Sequence, residues 1–109
     1  MNPTMAAWVV GMVDIFPVTL VPGPALTAGT VLGCLGGLSG KFRPLIPGRD
    51  VAAAVLLRDV GSSRAERYGE IPLVATIRGS ALLWPEGVTD EQKAKALAEL
   101  RASNIRVQR

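Results

Sequence analysis

The glycine-rich segment from Gly33 to Lys41 is the part of the chain that comes closest to a known chemical motif. Glycines followed by a lysine are typical of loops whose backbone N–H groups bind phosphate. Such a loop needs the pattern G-x-x-x-x-G-K-[ST] and a helix directly after it. Here Lys41 is followed by Phe42, and no helical pattern follows. We therefore interpret the segment as the connection of a β-hairpin.

The other residue types that could support catalysis or metal binding lack partners. The chain has no histidine, which is the commonest general base and metal ligand. Its single cysteine, Cys34, excludes an internal disulfide and a cysteine-cluster metal site and is best explained as a small buried apolar side chain. Ser62 and Ser63 have no histidine to activate them, and nothing places Asp50 beside Asp59. We expect no enzyme activity, and the sequence implies no cofactor or metal ion.

Length and composition predict one small domain with many turns. The chain has 109 residues, of which 49% are apolar, and it contains 12 glycines and 8 prolines. This combination favours short strands joined by turns. The formal net charge is +3, but the basic residues between Lys41 and Arg67 are mostly mixed with acids. A solvated surface explains them better than nucleic-acid binding does.

The first 40 residues contain one charged side chain, that of Asp14. Pro17, Pro22 and Pro24 interrupt the apolar sequence, so it has no run long enough to form a membrane-spanning helix. No lysine or arginine precedes the apolar part, as a secretory signal would require. A membrane-surface segment would need a basic face, and none is present. We expect no membrane partner.

Residues 7–16 are a run of strand-forming residues without alternation, which predicts a strand covered on both faces. Two interpretations remain open. The run is either an internal core strand, or part of an N-terminal arm (residues 1–17) that becomes buried against another protein. In the second case residues 5–17 would add a strand to the partner. The apolar side chains of this arm are Trp8, Val9, Val10, Met12, Val13, Ile15 and Phe16.

The residues from Leu83 to Gln92 predict the start of a helix. Thr89 and Gln92 have the spacing of a capping box, in which each side chain bonds a backbone N–H of the other residue. Pro85 forbids helix just upstream and favours an extended conformation for the two residues before it. We therefore expect Trp84 to be a buried anchor between a strand and the helix.

The predicted helix extends from Asp90 to Ala102, because the residues between them are good helix formers. Asn104 is suited to a left-handed stop, and Ile105 to Val107 alternate as in a short final strand. About six short strands are expected in all, so the fold is mainly β with one helix. The other segments expected to be extended are residues 18–20, 30–32, 41–43, 52–57, 73–78 and 81–84, and residues 61–70 are expected to form a charged, exposed loop.

Three segments occur in a characteristic order: residues 18–33 with residues 40–44, residues 51–60, and residues 81–93. Together they resemble the head decoration proteins of lambda-type bacteriophages. The first of them resembles the first part of that family. Residues 51–60 resemble its central strand, although Arg58 stands where an acid is common. Residues 81–93 resemble its Trp-Pro turn into the helix and are the most specific of the three. The resemblance covers about residues 18–108.

This resemblance implies a mainly β (α+β), β-clip-like small barrel of short strands with one C-terminal helix and an extended N-terminal arm. It divides the chain into a capsid-binding arm (residues 1–17) and a head decoration domain (residues 18–109). It implies a homotrimer on the outer surface of the expanded head, at three-fold and quasi-three-fold positions, which stabilises the shell of major capsid protein. Deletion of residues 1–16 is then expected to leave a soluble trimer that cannot coat heads. The alternative is a small β-barrel binding module for nucleic acid or a membrane surface.

Overall fold

The computed structural model describes residues 8–35 and 40–108 of the chain. They form a mainly β structure with one C-terminal helix, which confirms the fold class predicted from the sequence. The short turn at Gly79–Ala81 is a 3-10 helix. The remaining elements, in chain order, are β1 (Val9–Leu20), β2 (Val31–Cys34), β3 (Lys41–Pro44), β4 (Ala52–Val55), β5 (Arg67–Arg78), α1 (Asp90–Ala102) and β6 (Ile105–Gln108).

The six strands form one sheet that curls into a nearly closed barrel, in the order β4-β2-β3-β1-β5-β6. The pairs β1–β3 and β5–β6 are parallel, and the other neighbours are antiparallel. Helix α1 lies against both edge strands, β4 and β6. The Glu99 carboxylate on α1 accepts a hydrogen bond of 3.0 Å from the backbone N–H of Ala52 in β4. The helix therefore provides a hydrogen-bond acceptor for a backbone N–H on the open edge of β4 and fills the gap between the two edge strands.

The β2–β3 pair is antiparallel, with Leu32 opposite Pro44 and Cys34 opposite Phe42. The glycine-rich segment therefore connects a β-hairpin, as its sequence predicts. Residues 36–39 of that segment lie outside the described residues.

Two apolar clusters form the interior. One lies beneath α1, where Leu100 packs with Ile77 and Ile105 of β5 and β6. The other lies around Leu20 and Leu56. Each fully buried side chain of this size contributes about 1.5–3 kcal/mol to stability relative to exposure.

The start of α1 has both hydrogen bonds of a capping box. The Thr89 hydroxyl accepts a hydrogen bond of 3.1 Å from the backbone N–H of Gln92, and the Gln92 side chain accepts one of 2.9 Å from the N–H of Thr89. Asp90 and Glu91 add negative charge at the positive end of the helix dipole. Asn104, which follows the C-cap residue Ser103, has a φ of 69°, the left-handed conformation that ends many helices.

Replacement of Thr89 by alanine should lower the free energy of unfolding by about 1 kcal/mol, because one backbone donor at the helix start loses its acceptor. Urea unfolding followed by circular dichroism measures the change. Thr89→Ser keeps the hydroxyl and should remain close to the parent protein. Equal stability of the alanine and serine variants would show that the cap does not stabilise the fold.

Strands β1 and β5 are longer than the sequence predicts. Residues 67–70, expected in an exposed loop, form the first part of β5, so that expectation was wrong. They pair with the end of β1, where Thr19 lies opposite Tyr68 and Leu20 opposite Arg67. This pairing stabilises a strand, although the polar, glycine-containing sequence of residues 67–70 does not favour one by itself.

Residues 81–84 contain the last residue of the 3-10 turn and one bridge residue instead of a strand. Only Leu83 pairs, with Thr30, because the turn at Gly79–Ala81 ends just before it. The expected strand at residues 52–57 is also shorter, since regular pairing ends at Val55. Beyond it, the Leu57 N–H donates a hydrogen bond of 2.9 Å to the carbonyl of Glu70. That bond connects the chain after β4 to β5.

Candidate functional site

Strands β1 and β5 form a long antiparallel ribbon whose apolar side chains are partly left in solvent. Val13 and Val74 lie directly opposite each other, and their exposed fractions are 61% and 45%. Contiguous exposed apolar surface on a soluble protein commonly marks a site of protein contact. We call the exposed apolar side chains of the two strands the apolar ribbon; they are Val10, Val13, Phe16, Leu73 and Val74.

The structure divides the apolar residues of the predicted arm between the interior and the surface. Val9 is buried, and Trp8 and Met12 pack against the cluster beneath α1. Ile15 is partly buried. The side chains in solvent are those of Val10, Val13 and Phe16.

Strand β1 belongs to the protein's own sheet, but several of its apolar side chains are in solvent instead of being covered on both faces. Burial of the run against another protein stays a prediction. Strand β1 crosses the predicted division between residues 17 and 18, and that division stays a prediction. Residues 1–7 of the predicted arm lie outside the described residues.

One backbone edge of β1 is unpaired over most of its length, within the described part of the chain. Residues Val9 to Leu20 pair with β5 on one side. On the other side only Thr19 and Leu20 pair with β3. The edge from about residue 10 to residue 17 therefore has free backbone groups that another strand could bind.

Three features of this edge limit non-specific pairing. The register shifts between Val9 and Gly11, as at a β-bulge. Asp14 is exposed and has a φ of 58°, a conformation that aspartate tolerates better than most residues. Pro17 cannot donate a backbone hydrogen bond. Bulges, charges and prolines are the usual means by which edge strands avoid aggregation, so the edge favours a partner of matching shape.

The aspartates that the sequence offers as possible catalytic acids form hydrogen bonds that stabilise loops of the fold. The Asp50 carboxylate accepts hydrogen bonds from Arg43 Nε and Nη2 at 3.0 and 2.7 Å and from the backbone N–H of Ile46 at 3.1 Å. The hydrogen bond with Arg43 is the main reason that the pKa of Asp50 lies below its usual value; the Ile46 N–H also lowers it, and burial opposes the shift. Asp59 accepts a hydrogen bond of 2.8 Å from the N–H of Ala28. The two aspartates thus hold different loops.

Arg67 is a framework residue that sequence reasoning missed. Its guanidinium donates hydrogen bonds to the carbonyls of Val21, Pro24 and Gly61 at 3.3, 2.7 and 2.5 Å. One side chain therefore fixes two loops that are distant in sequence. The charge pattern of residues 61–70 gave no signal for this role, because the acceptors are backbone carbonyls.

The remaining candidates are not brought together into a reactive site. Cys34 is partly buried, and its thiol donates to the carbonyl of Leu35 at 3.8 Å. The Ser63 hydroxyl accepts a hydrogen bond from the N–H of Ala65. Within residues 8–35 and 40–108, no group of three histidine, cysteine, aspartate or glutamate side chains could hold a metal ion. No helix in the same ranges is long and apolar enough to cross a membrane.

The predicted structural residues lie at the junction between the sheet and α1. Trp84 is partly buried and packs against the cluster beneath the helix, where it lines a shallow cleft with Lys93 and Leu97. Pro85 accepts a hydrogen bond through its carbonyl from the N–H of Val88, in the turn that leads into the helix. This part of the molecule positions α1.

A small β-barrel with a charged framework and an exposed apolar ribbon has the features of a structural protein that works through contact with other proteins. The sequence profile of the family described as bacteriophage lambda head decoration protein D matches residues 11–105. The chain therefore belongs to this family of structural virion proteins, which confirms the resemblance seen in its sequence. Among curated proteins, none matches the chain.

Proposed function

We propose that the protein binds as a homotrimer to the outer surface of the expanded phage head and stabilises the shell of major capsid protein. The expected positions are the three-fold and quasi-three-fold axes. The family match over residues 11–105 supports capsid decoration. The observation that carries the contact is the apolar ribbon beside the unpaired edge of β1.

In this proposal residues 10–17 of β1 receive a strand of the major capsid protein along their free edge. Backbone hydrogen bonds then contribute affinity, and the side chains of Val10, Val13 and Phe16 contribute apolar contact. Interface contacts of this kind are specific because the bulge, Asp14 and Pro17 restrict which strand can align.

The paired state of β1 favours such binding. Ordering about ten disordered residues would cost roughly 10–20 kcal/mol, which is comparable to the roughly 10–20 kcal/mol returned by burying seven large apolar side chains. Residues 9–17 are already held by β5, so that part of the ordering cost does not arise on binding. A trimer would carry three copies of this edge, and because they are linked, binding of one would raise the effective affinity of the others.

Electron microscopy of expanded, undecorated heads with and without added protein tests the proposal. We expect protrusions of three-fold symmetry on the outer surface and a higher temperature of head disruption. Analytical ultracentrifugation of the free protein should give the mass of three chains. Heads without added density after incubation with excess protein would contradict the proposed function.

A further inference from the structure

Two arginines lie beside the apolar ribbon, at the end of the sheet where α1 meets β6. Arg101 is in the last turn of α1, Arg106 is in β6, and both are exposed. They line a groove of about 560 Å³ together with Thr76. A neighbouring groove of about 410 Å³ contains the same three residues and Val74. We call the two together the basic groove.

The strand alternation places Arg106 on the same face of the sheet as Val13 and Val74 of the apolar ribbon. Ala75 of β5 and Ile105 of β6 are in register and are both buried. The next pair, Thr76 and Arg106, therefore faces the opposite side, away from the interior. Val74 precedes Thr76 by two residues and lies on that outer face as well. Val13 is paired with Val74 and shares its face, so this part of the ribbon and the basic groove form one continuous surface.

The basic groove is lined, among the described residues, by no acidic side chain. In the described ranges, neither Arg101 nor Arg106 has a carboxylate within ion-pair distance. Arg101 has a local role, because a positive charge in the last turn stabilises the helix dipole. Arg106 has no such role, so its charge is available to a partner.

We propose that the basic groove binds an acidic, extended segment of the major capsid protein next to the apolar ribbon. This inference rests on the proposed function and adds the charge of the partner segment. Val74 belongs to both the ribbon and the groove, so a segment that covers Val13 and Val74 also reaches both arginines. Guanidinium groups bind carboxylates through paired, charge-assisted hydrogen bonds. Such pairs also accelerate encounter and select partners by charge.

The double variant Arg101→Gln/Arg106→Gln tests the proposal by sedimentation of protein with expanded, undecorated heads at several salt concentrations. We expect about tenfold weaker binding at low salt, since each exposed ion pair contributes about two- to fivefold. We also expect a weaker dependence of binding on salt, because screening then acts on fewer pairs. The single variant Arg106→Gln should show part of the loss without the change in helix stability.

The matched control is Arg64→Gln/Lys95→Gln, which removes the same amount of charge from exposed positions outside the groove. It should bind heads like the parent protein. Equal binding and equal salt dependence for the groove variant would overturn the inference while leaving the proposed function intact. A groove variant that no longer forms trimers would also overturn it, since the groove would then contact another copy of this chain. Failure of the parent protein to bind heads would instead overturn the proposed function.

Discussion

A lysine in place of Val13 should reduce binding to expanded heads by a factor of about 100 or more while the barrel stays folded. Val13 is 61% exposed, so most of its surface is available to a partner. Loss of the valine side chain from the interface lowers the binding free energy by about 1 kcal/mol, because less apolar surface is buried. An ammonium group enclosed in an apolar contact costs about a few kcal/mol more. Each 1.4 kcal/mol corresponds to a factor of ten in affinity.

Val51→Lys is the matched control for this substitution. Val51 is also 61% exposed, but it lies just before β4 and outside the apolar ribbon. Sedimentation with heads measures binding, and thermal unfolding verifies that both variants are folded. We expect normal binding for Val51→Lys. Equal binding by the two lysine variants, whether both retain it or both lose it, would show that the ribbon is not the specific capsid contact.

Deletion of residues 1–16, which the sequence alone suggests as the test of the arm, does not separate capsid binding from folding. It removes Trp8, Val9 and Met12, which contribute to the interior. It also removes the strand that pairs with residues 71–77 of β5. Substitution of exposed side chains on β1 leaves those interactions in place, so it tests the contact alone.

The parts of the fold that depend on local interactions could be predicted from the sequence. The start of α1 at Asp90 follows from Thr89, Gln92 and Pro85, and its end follows from Asn104, because these residues act within a few positions of themselves. The predominance of strands and the single late helix follow from the hydrophobic pattern and the turn residues.

The parts that depend on pairing between distant residues could not be predicted. Residues 67–70 read as a polar loop, yet they extend β5 because the end of β1 lies beside them. An added Cβ at Gly69 would lie 2.8 Å from Leu20 Cδ1 and 2.9 Å from Leu56 Cδ1. The glycine there reflects close packing, which the sequence does not distinguish from a turn.

The same limit applies to the candidate site. The sequence identifies Val13 and Phe16 as apolar, and it does not separate them from Val9 and Met12, which face the interior. The extra residue at the bulge between Val9 and Gly11 and the left-handed Asp14 disturb simple alternation along β1. Arg101 and Arg106 come together only through the docking of α1 beside β6, so their groove has no local sequence signal.

Gly29→Ala should cause a large loss of stability, about 2–5 kcal/mol. Gly29 has a φ of 97°, and an added Cβ would lie 2.4 Å from the carbonyl oxygen of Ala81. The left-handed conformation costs an alanine about 1–2 kcal/mol, and overpacking costs about 1–3 kcal/mol. The backbone cannot move freely to relieve the contact, because the Gly29 carbonyl accepts a 2.9 Å hydrogen bond from Leu83 and its N–H donates one of 2.8 Å to Leu56.

Two other glycines separate the causes of this loss. Gly87 has a φ of 79° and no atom within 4 Å of an added Cβ, so Gly87→Ala should show the conformational cost alone, about 1–2 kcal/mol. Gly61 has open space and no positive φ, so Gly61→Ala should change stability by less than about 0.5 kcal/mol. Urea unfolding of the three variants gives the comparison. If Gly29→Ala is as stable as Gly87→Ala or more so, the Ala81 carbonyl moves away from the added Cβ at no cost in free energy. The bridge between Thr30 and Leu83 would then not hold the loop before β2 in place.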